Sequence, residues 1–216
     1  METTITTDTI VKISKSPYLT RKNLELILGS NRRTLDYRIM ALIKGGLLTR
    51  IKPGVYISSE YMKQQTDKEK YLEYLGCILK QPSYVSLRYA LSKYNLIPES
   101  IFDITYVTTK KTNRFDTPVK SFVYSNITEK LFFGFSAVSF GNKIVNFALP
   151  YKALFDLFYY ARLADKEDTR NFLLTSRINW KNLDRGNKNQ LKKILANSDL
   201  SKMKRVLIIL QEEKLI

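Results

Sequence analysis

The chain has 216 residues, with 36 Lys and Arg against 20 Asp and Glu, so its formal net charge is +16. Hydrophobic residues make up 44% and aromatics 12%, enough to build a packed core and too many for wholesale disorder. A single cysteine, Cys77, and the absence of histidine exclude an internal disulfide, a typical zinc site within the chain, and Cys-His or Ser-His catalysis.

No paired carboxylate motif announces another chemistry, so the expectation is a non-enzyme with no catalytic residue, no metal and no cofactor. No apolar run approaches the ~18 residues of a membrane span. The start, METTITTDTI, has neither a basic region nor an apolar stretch of the signal-peptide kind. A cytoplasmic protein without a membrane partner is expected. The basic excess is spread along the chain. Residues 1–60 hold 10 Lys and Arg against 5 Asp and Glu, and residues 61–216 hold 26 against 15.

In chain order, residues 5–14 read as a first helix, stopped by Pro17. Thr20 is a good N-cap for a helix over 21–28, which Gly29 ends. Ser30 is placed to cap a helix over 31–45. There Leu35, Ile39, Leu42 and Ile43 fall on one apolar face, while Arg32, Arg33, Asp36, Tyr37 and Arg38 lie on the other side. Gly29-Ser30 could open a nucleotidyltransferase motif, but no Asp-x-Asp pair follows. Gly45-Gly46 breaks the helix. Residues 47–51 and 55–57 then read as two short strands around the turn Lys52-Pro53-Gly54. Helix, turn, helix and hairpin is the order of a winged helix-turn-helix, whose second helix can enter a DNA major groove. Arg32, Arg33, Tyr37 and Arg38 are the candidate base or phosphate contacts. Arg50 and Lys52 sit where a wing meets the backbone. An ordinary solvated helix face, or a winged helix that binds protein, is the competing reading.

Residues 60–70 read as a polar linker running into a helix through Tyr71, Leu72, Leu75, Ile78 and Leu79, with Cys77 a buried thiol within it. Ser86 is placed to cap a helix to about Tyr94. Strands are expected over 101–109, 119–127, 131–140 and 143–149, with a basic loop over 110–117. Pro150 opens an apolar helix with a core face of Ala153, Leu154, Leu157, Phe158 and Ala161. Further helices are expected at 168–176, 187–196 and 199–213. The fold class is α+β: a winged-helix domain over 1–60, then a domain over 61–216 with a mainly antiparallel sheet, helices on one side and helices at its C-terminus.

Several motifs in this second part carry a resemblance. They are Tyr84-Val85-Ser86-Leu87 with Ala90-Leu91, then Tyr94 through Glu99, and Val107-Thr108-Thr109-Lys110-Lys111-Thr112. Arg114-Phe115-Asp116-Thr117-Pro118, Leu131-Phe132-Phe133-Gly134 and the stretch from Ala148 to Leu157 follow in order. With the N-terminal helices they span about residues 15–165, and in this order they resemble the AbiEi family of type IV antitoxins. Residues 166–216 match by helical character alone. The resemblance implies a transcriptional autorepressor that binds repeats in its own promoter. It also implies a C-terminal domain that counteracts an AbiEii-type nucleotidyltransferase toxin. A lone regulator without a toxin partner would have a similar sequence.

Three basic clusters remain: Lys110, Lys111 and Arg114; Lys188, Lys192 and Lys193; and Lys202, Lys204 and Arg205. Each can be a solvated face. Together they could clamp phosphates or steer an acidic protein, with Lys110, Lys111 and Arg114 the best candidate for a partner or phosphate surface. Phe132, Phe133, Phe135 and Phe140 are expected to fill a sheet face.

Overall fold

The computed structural model describes residues 6–29 and 32–216, apart from the side chain of Arg32. The expected cap at Ser30 and the helix start at Ile5 lie outside the described residues. The first helix, α1 (Thr7–Ser14), is capped by Thr6, whose hydroxyl accepts the Thr9 N–H. A two-residue strand, β1 (Leu19–Thr20), leads directly into α2 (Arg21–Leu28). Thr20 and Asn23 form a reciprocal capping box, and Gly29, at φ 58°, ends the helix in the left-handed region. Helix α3 (Arg32–Lys44) follows, then the antiparallel hairpin β2 (Leu48–Lys52) and β3 (Val55–Ser58). Gly54 turns the hairpin at φ 77°, and its carbonyl accepts the Arg21 N–H at 3.0 Å. Strand β1 adds to β3, giving a three-stranded sheet. Its core is Ile13, Leu19, Leu24, Leu35, Ile39, Leu42, Leu48 and Tyr56.

The stretch expected as a linker is partly helical: α4 (Ser59–Lys63) and the start of α5 (Lys68–Leu79) fall within it. Ser58 and Asp67 cap these helices. The second sheet has six strands in the order β6-β7-β5-β4-β9-β8. Its members are β4 (Ser83–Val85), β5 (Ile104–Thr108), β6 (Asn113–Asp116), β7 (Ser121–Asn126), β8 (Phe135–Phe140) and β9 (Lys143–Ala148). The pairs β4–β5, β6–β7 and β8–β9 are antiparallel; β4–β9 and β5–β7 are parallel.

Two strands depart from the sequence expectation. The central strand β4 is too short to show a period, and β6 occupies part of the expected loop at 110–117. Of the strand expected over 131–140 only Phe135–Phe140 forms (β8), while Leu131 ends a 3-10 turn (Glu129–Leu131).

Side-chain parity shows how the sheet is covered. Val85 pairs with Tyr106 and Tyr84 with Val107, so Tyr84 and Tyr106 point to opposite faces. Tyr106 and Tyr124 stack at 4.9 Å, and their hydroxyls donate to the carbonyls of Glu73 (3.0 Å) and Gly76 (2.6 Å) on α5. Tyr84 instead donates to Asp156 of α7 (Pro150–Tyr160) at 3.0 Å. Helices therefore cover both faces, correcting the expectation of one.

The remaining helices are α6 (Leu87–Lys93), α8 (Lys166–Thr175), α9 (Arg185–Ala196) and α10 (Ser201–Glu212). The larger core runs from α5 through the sheet to α10. It also takes in Ile51 and Ile57 from the β2–β3 hairpin. One face of that hairpin thus belongs to the small core and the other to the large one. Tyr71 of α5 reinforces the junction by donating to the Pro17 carbonyl at 2.7 Å.

Candidate nucleic-acid interface

The inner face of α3 carries Leu35, Ile39 and Leu42, all buried. Opposite it, Arg33, Tyr37, Met40 and Lys44 recur at helical spacing and are exposed. Tyr37 is 68% exposed and Met40 50%. Between α3 and the hairpin lies a groove of about 390 Å³, lined by Asp36, Met40, Arg50 and Gly54 among others. Arg50 is exposed at its rim. Arg21 pairs with Asp36 across the groove, neutralising the acidic side chain among its described lining residues. Lys44, at the open end of the stripe, was not among the sequence candidates; its spacing from Arg33 and Tyr37 was the available signal.

The other candidates are placed differently. Arg38 is half-buried, and its guanidinium donates to the Leu28 carbonyl at the end of α2. It ties the two helices together, so it is held by the fold. Lys52 is also half-buried. Its ammonium donates to the Leu79 carbonyl at the end of α5 and lies 5.6 Å from the Phe115 ring centre. Burial pushes its pKa down, with Lys80 adding to the effect. The hairpin is thereby fastened to the second core through the residue expected to touch DNA backbone. The side chain of Arg32 lies outside the described residues.

Lys110 and Lys111 are exposed and enter no ion pair among the described residues. Arg114 does not share their loop. It sits on the edge strand β6 and pairs with Asp116 at 2.7 Å and Asp103 at 2.8 Å. Two carboxylates on one guanidinium leave no positive charge to offer a phosphate. The C-terminal basic residues are similarly occupied in part. Lys202 donates to the Tyr159 and Ala161 carbonyls at the end of α7. Arg205 donates to the Leu163 carbonyl, and Lys188 to that of Leu215. Cations at helix C-termini satisfy orphan carbonyls, a structural use of charge.

A polar constellation that the sequence reading did not single out lies at the centre of the second core. Lys152 and Asp156 are both fully buried and pair at 2.6 Å. Asp156 also accepts from the Ser86 hydroxyl at 2.7 Å and from Tyr84. Ser86 therefore precedes α6 without capping it, because its hydroxyl is turned to Asp156. Lys152 donates to the Leu131 carbonyl at 2.8 Å and lies 4.8 Å from the Phe155 ring centre. Burial pushes the Asp156 carboxyl up and the Lys152 ammonium down, while their contact opposes both shifts. Every member is enclosed, so this cluster joins β4, α7 and the 3-10 turn and offers no access to a substrate. Cys77 is buried too, and burial pushes its thiol up to about 12, as expected for an inert structural thiol. Of the four phenylalanines, Phe132 and Phe135 pack on Tyr84 and Phe140 on Tyr71 and Tyr74. Phe133 departs from the expectation and is 40% exposed.

Among the described residues no group of three or more potential ligands could hold a metal, and no helix is long and apolar enough to cross a membrane. No protein-family model matches the chain, and no curated protein matches it.

Proposed function

We propose that residues 6–58 act as a winged helix-turn-helix that binds duplex DNA through α3, and that the protein is a non-catalytic transcriptional regulator. The observation that carries this reading is the exposed stripe Arg33-Tyr37-Met40-Lys44 beside Arg50, on a chain with net charge +16. Arginine near the start of a groove-entering helix suits guanine edges and phosphates, and Arg50 suits the flanking backbone. Arg38 and Lys52 act behind this surface, holding α3 and the hairpin in place.

The resemblance to the AbiEi antitoxins extends the proposal. The protein would repress its own promoter through repeated sites, and residues 61–216 would counteract an AbiEii-type nucleotidyltransferase toxin. Lys110 and Lys111 are the exposed cations of that region best placed to meet an acidic partner or a phosphate. The same architecture also suits a lone regulator.

A mobility shift tests the DNA reading. The purified protein is titrated against its own upstream DNA and against a scrambled fragment, across a salt series. Selective binding that survives near-physiological salt supports a repressor. Equal, salt-labile binding to both fragments reduces it to a basic surface. The second reading, a winged helix that binds protein, draws on the hairpin, whose Ile51, Ile57 and Lys52 are turned into the rest of the chain. It predicts no sequence-selective shift at moderate salt. Co-expression with the neighbouring nucleotidyltransferase, where one is encoded, tests the antitoxin part independently.

A further inference from the structure

The six-stranded sheet ends in two strands of very different character. Strand β6 carries Arg114 and Asp116, charged side chains of the kind that guard an edge against pairing. Strand β8 reads Phe-Ser-Ala-Val-Ser-Phe and, among the described residues, pairs only with β9. It contains no charge, no proline and no bulge in its register. It lies inside Leu131–Asn142, the longest run of the chain without a charged residue. Its central residues, Ser136 to Ser139, are all exposed. Val138 is 37% exposed and Ile144, on the adjoining β9, 60%.

The ladder geometry identifies the free groups. Leu149 donates to the Gly134 carbonyl at 2.9 Å, and Gly134 and Leu149 continue the β8–β9 register. Alternation along an antiparallel pair then directs the N–H and C=O of Ser136, Val138 and Phe140 toward β9. Those of Phe135, Ala137 and Ser139 point away from it, toward the open edge.

We propose that β8 is a self-association edge, at which a second copy of this chain adds its own β8 antiparallel to form a continuous sheet across a two-fold axis near Ala137. The charge distribution selects this occupant. The strand offers no lysine or arginine to an acidic partner and no carboxylate to a basic one, so only a neutral strand matches it. Two chains of net charge +16 repel over most of their surfaces, and this run is where they can approach without juxtaposing like charges. A two-fold axis at Ala137 also places the two Lys143 ammoniums at opposite ends of the pairing. An isologous contact of this kind closes on itself. The pairing stands on the sheet edge alone and does not depend on DNA binding.

Sedimentation velocity on the full-length protein, from low to high micromolar concentration, tests it together with two variants. Ala137→Pro removes an outward N–H that the β9 ladder does not use. Ser139→Lys places a guarding charge on the strand while keeping its backbone intact. The wild type is expected to shift from monomer to dimer. The dimer should strengthen as salt screens the repulsion, opposite to the salt dependence of DNA binding. Both variants are expected to remain monomeric, with unchanged circular dichroism. A wild type that stays monomeric throughout overturns the proposal. So does a dimer that persists in folded Ser139→Lys, which keeps the test intact should Ala137→Pro fail to fold.

Discussion

Arg33 and Arg38 lie on the same helix and do different things, a difference their chemistry alone does not reveal. Arg33 is exposed on the outer stripe, whereas Arg38 reaches back to the Leu28 carbonyl. Arg33→Ala is expected to weaken operator binding by about 1–3 kcal/mol and to lower either the specificity or the salt slope, with folding unchanged. Arg38→Ala should lower the thermal midpoint. Unchanged affinity and salt slope in folded Arg33→Ala would remove the recognition-helix assignment.

A second residue-scale prediction concerns Glu73, which is only 6% exposed. The Tyr89 hydroxyl lies 2.8 Å from Glu73 Oε1 and 3.0 Å from Glu69 Oε1, yet it has one hydrogen to give. Burial pushes the Glu73 pKa up, and its neighbour Glu69 adds to this, while the Tyr89 bond and Lys93 oppose it. A carboxyl with a raised folded-state pKa favours the fold while protonated. That contribution is complete below the unfolded value of about 4.3 and is lost as pH rises through the folded one. Glu73→Gln should therefore raise stability at neutral pH and flatten its decline above about pH 4. Urea titrations at several pH values measure both effects, and an unchanged slope would contradict this account.

Among the elements, α5 and α7 hold the large core in contrasting ways. Helix α5 approaches the sheet closely because Gly76 has no side chain. A Cβ there would sit 2.0 Å from the Tyr106 hydroxyl. Alanine in place of glycine gains about 1 kcal/mol in a helix interior, whereas overpacking costs about 1–3 kcal/mol and displaces the hydroxyl from its Glu73 bond. Gly76→Ala is expected to be destabilising, and chemical denaturation gives the sign directly.

Helix α7 is held by the buried Lys152–Asp156 pair with Tyr84 and Ser86. Asp156→Asn strands a buried ammonium and should cost about 3–5 kcal/mol. The double change Lys152→Met with Asp156→Leu removes both charges but leaves the Ser86 and Tyr84 hydroxyls and the Leu131 carbonyl without these partners, so it should recover only part of the loss. A double variant as unstable as the single one would mean that these hydrogen bonds matter as much as the stranded charge.

At the scale of the whole molecule, the hairpin couples the two cores. Tyr56 faces the small core, while Ile51 and Ile57 enter the large one. Lys52 and Tyr71 add polar ties across the same junction. Ile57 is fully buried, so Ile57→Ala should cost about 2–5 kcal/mol. Hydrogen exchange is expected to speed up in both α3 and α5 of that variant. Protection lost in only one of them would mean that the two cores open independently. Coupling of this kind would fix the angle of α3 relative to the rest of the protein.

The sequence by itself determined what local chemistry controls. Periodicity located the apolar face of α3, and Thr20 with Gly29 marked the ends of α2, because caps and helical faces depend on neighbours within a few residues. The absence of histidine excluded whole classes of chemistry before any fold was considered. Tertiary structure decided the rest. Strand β4 has only three residues and owes its place to partners drawn from β5 and β9. Arg33, Arg38, Arg50, Lys52 and Arg114 are equivalent as cations in the sequence. Distance in space sorted them into exposed charges, carbonyl ties and an ion pair. The Lys152–Asp156 spacing reads as one turn of helix, and only its enclosure by Tyr84 and Ser86, far away in the chain, makes it the polar centre of the core. Long-range proximity sets electrostatic surroundings, and those surroundings decide what a charged side chain is free to do.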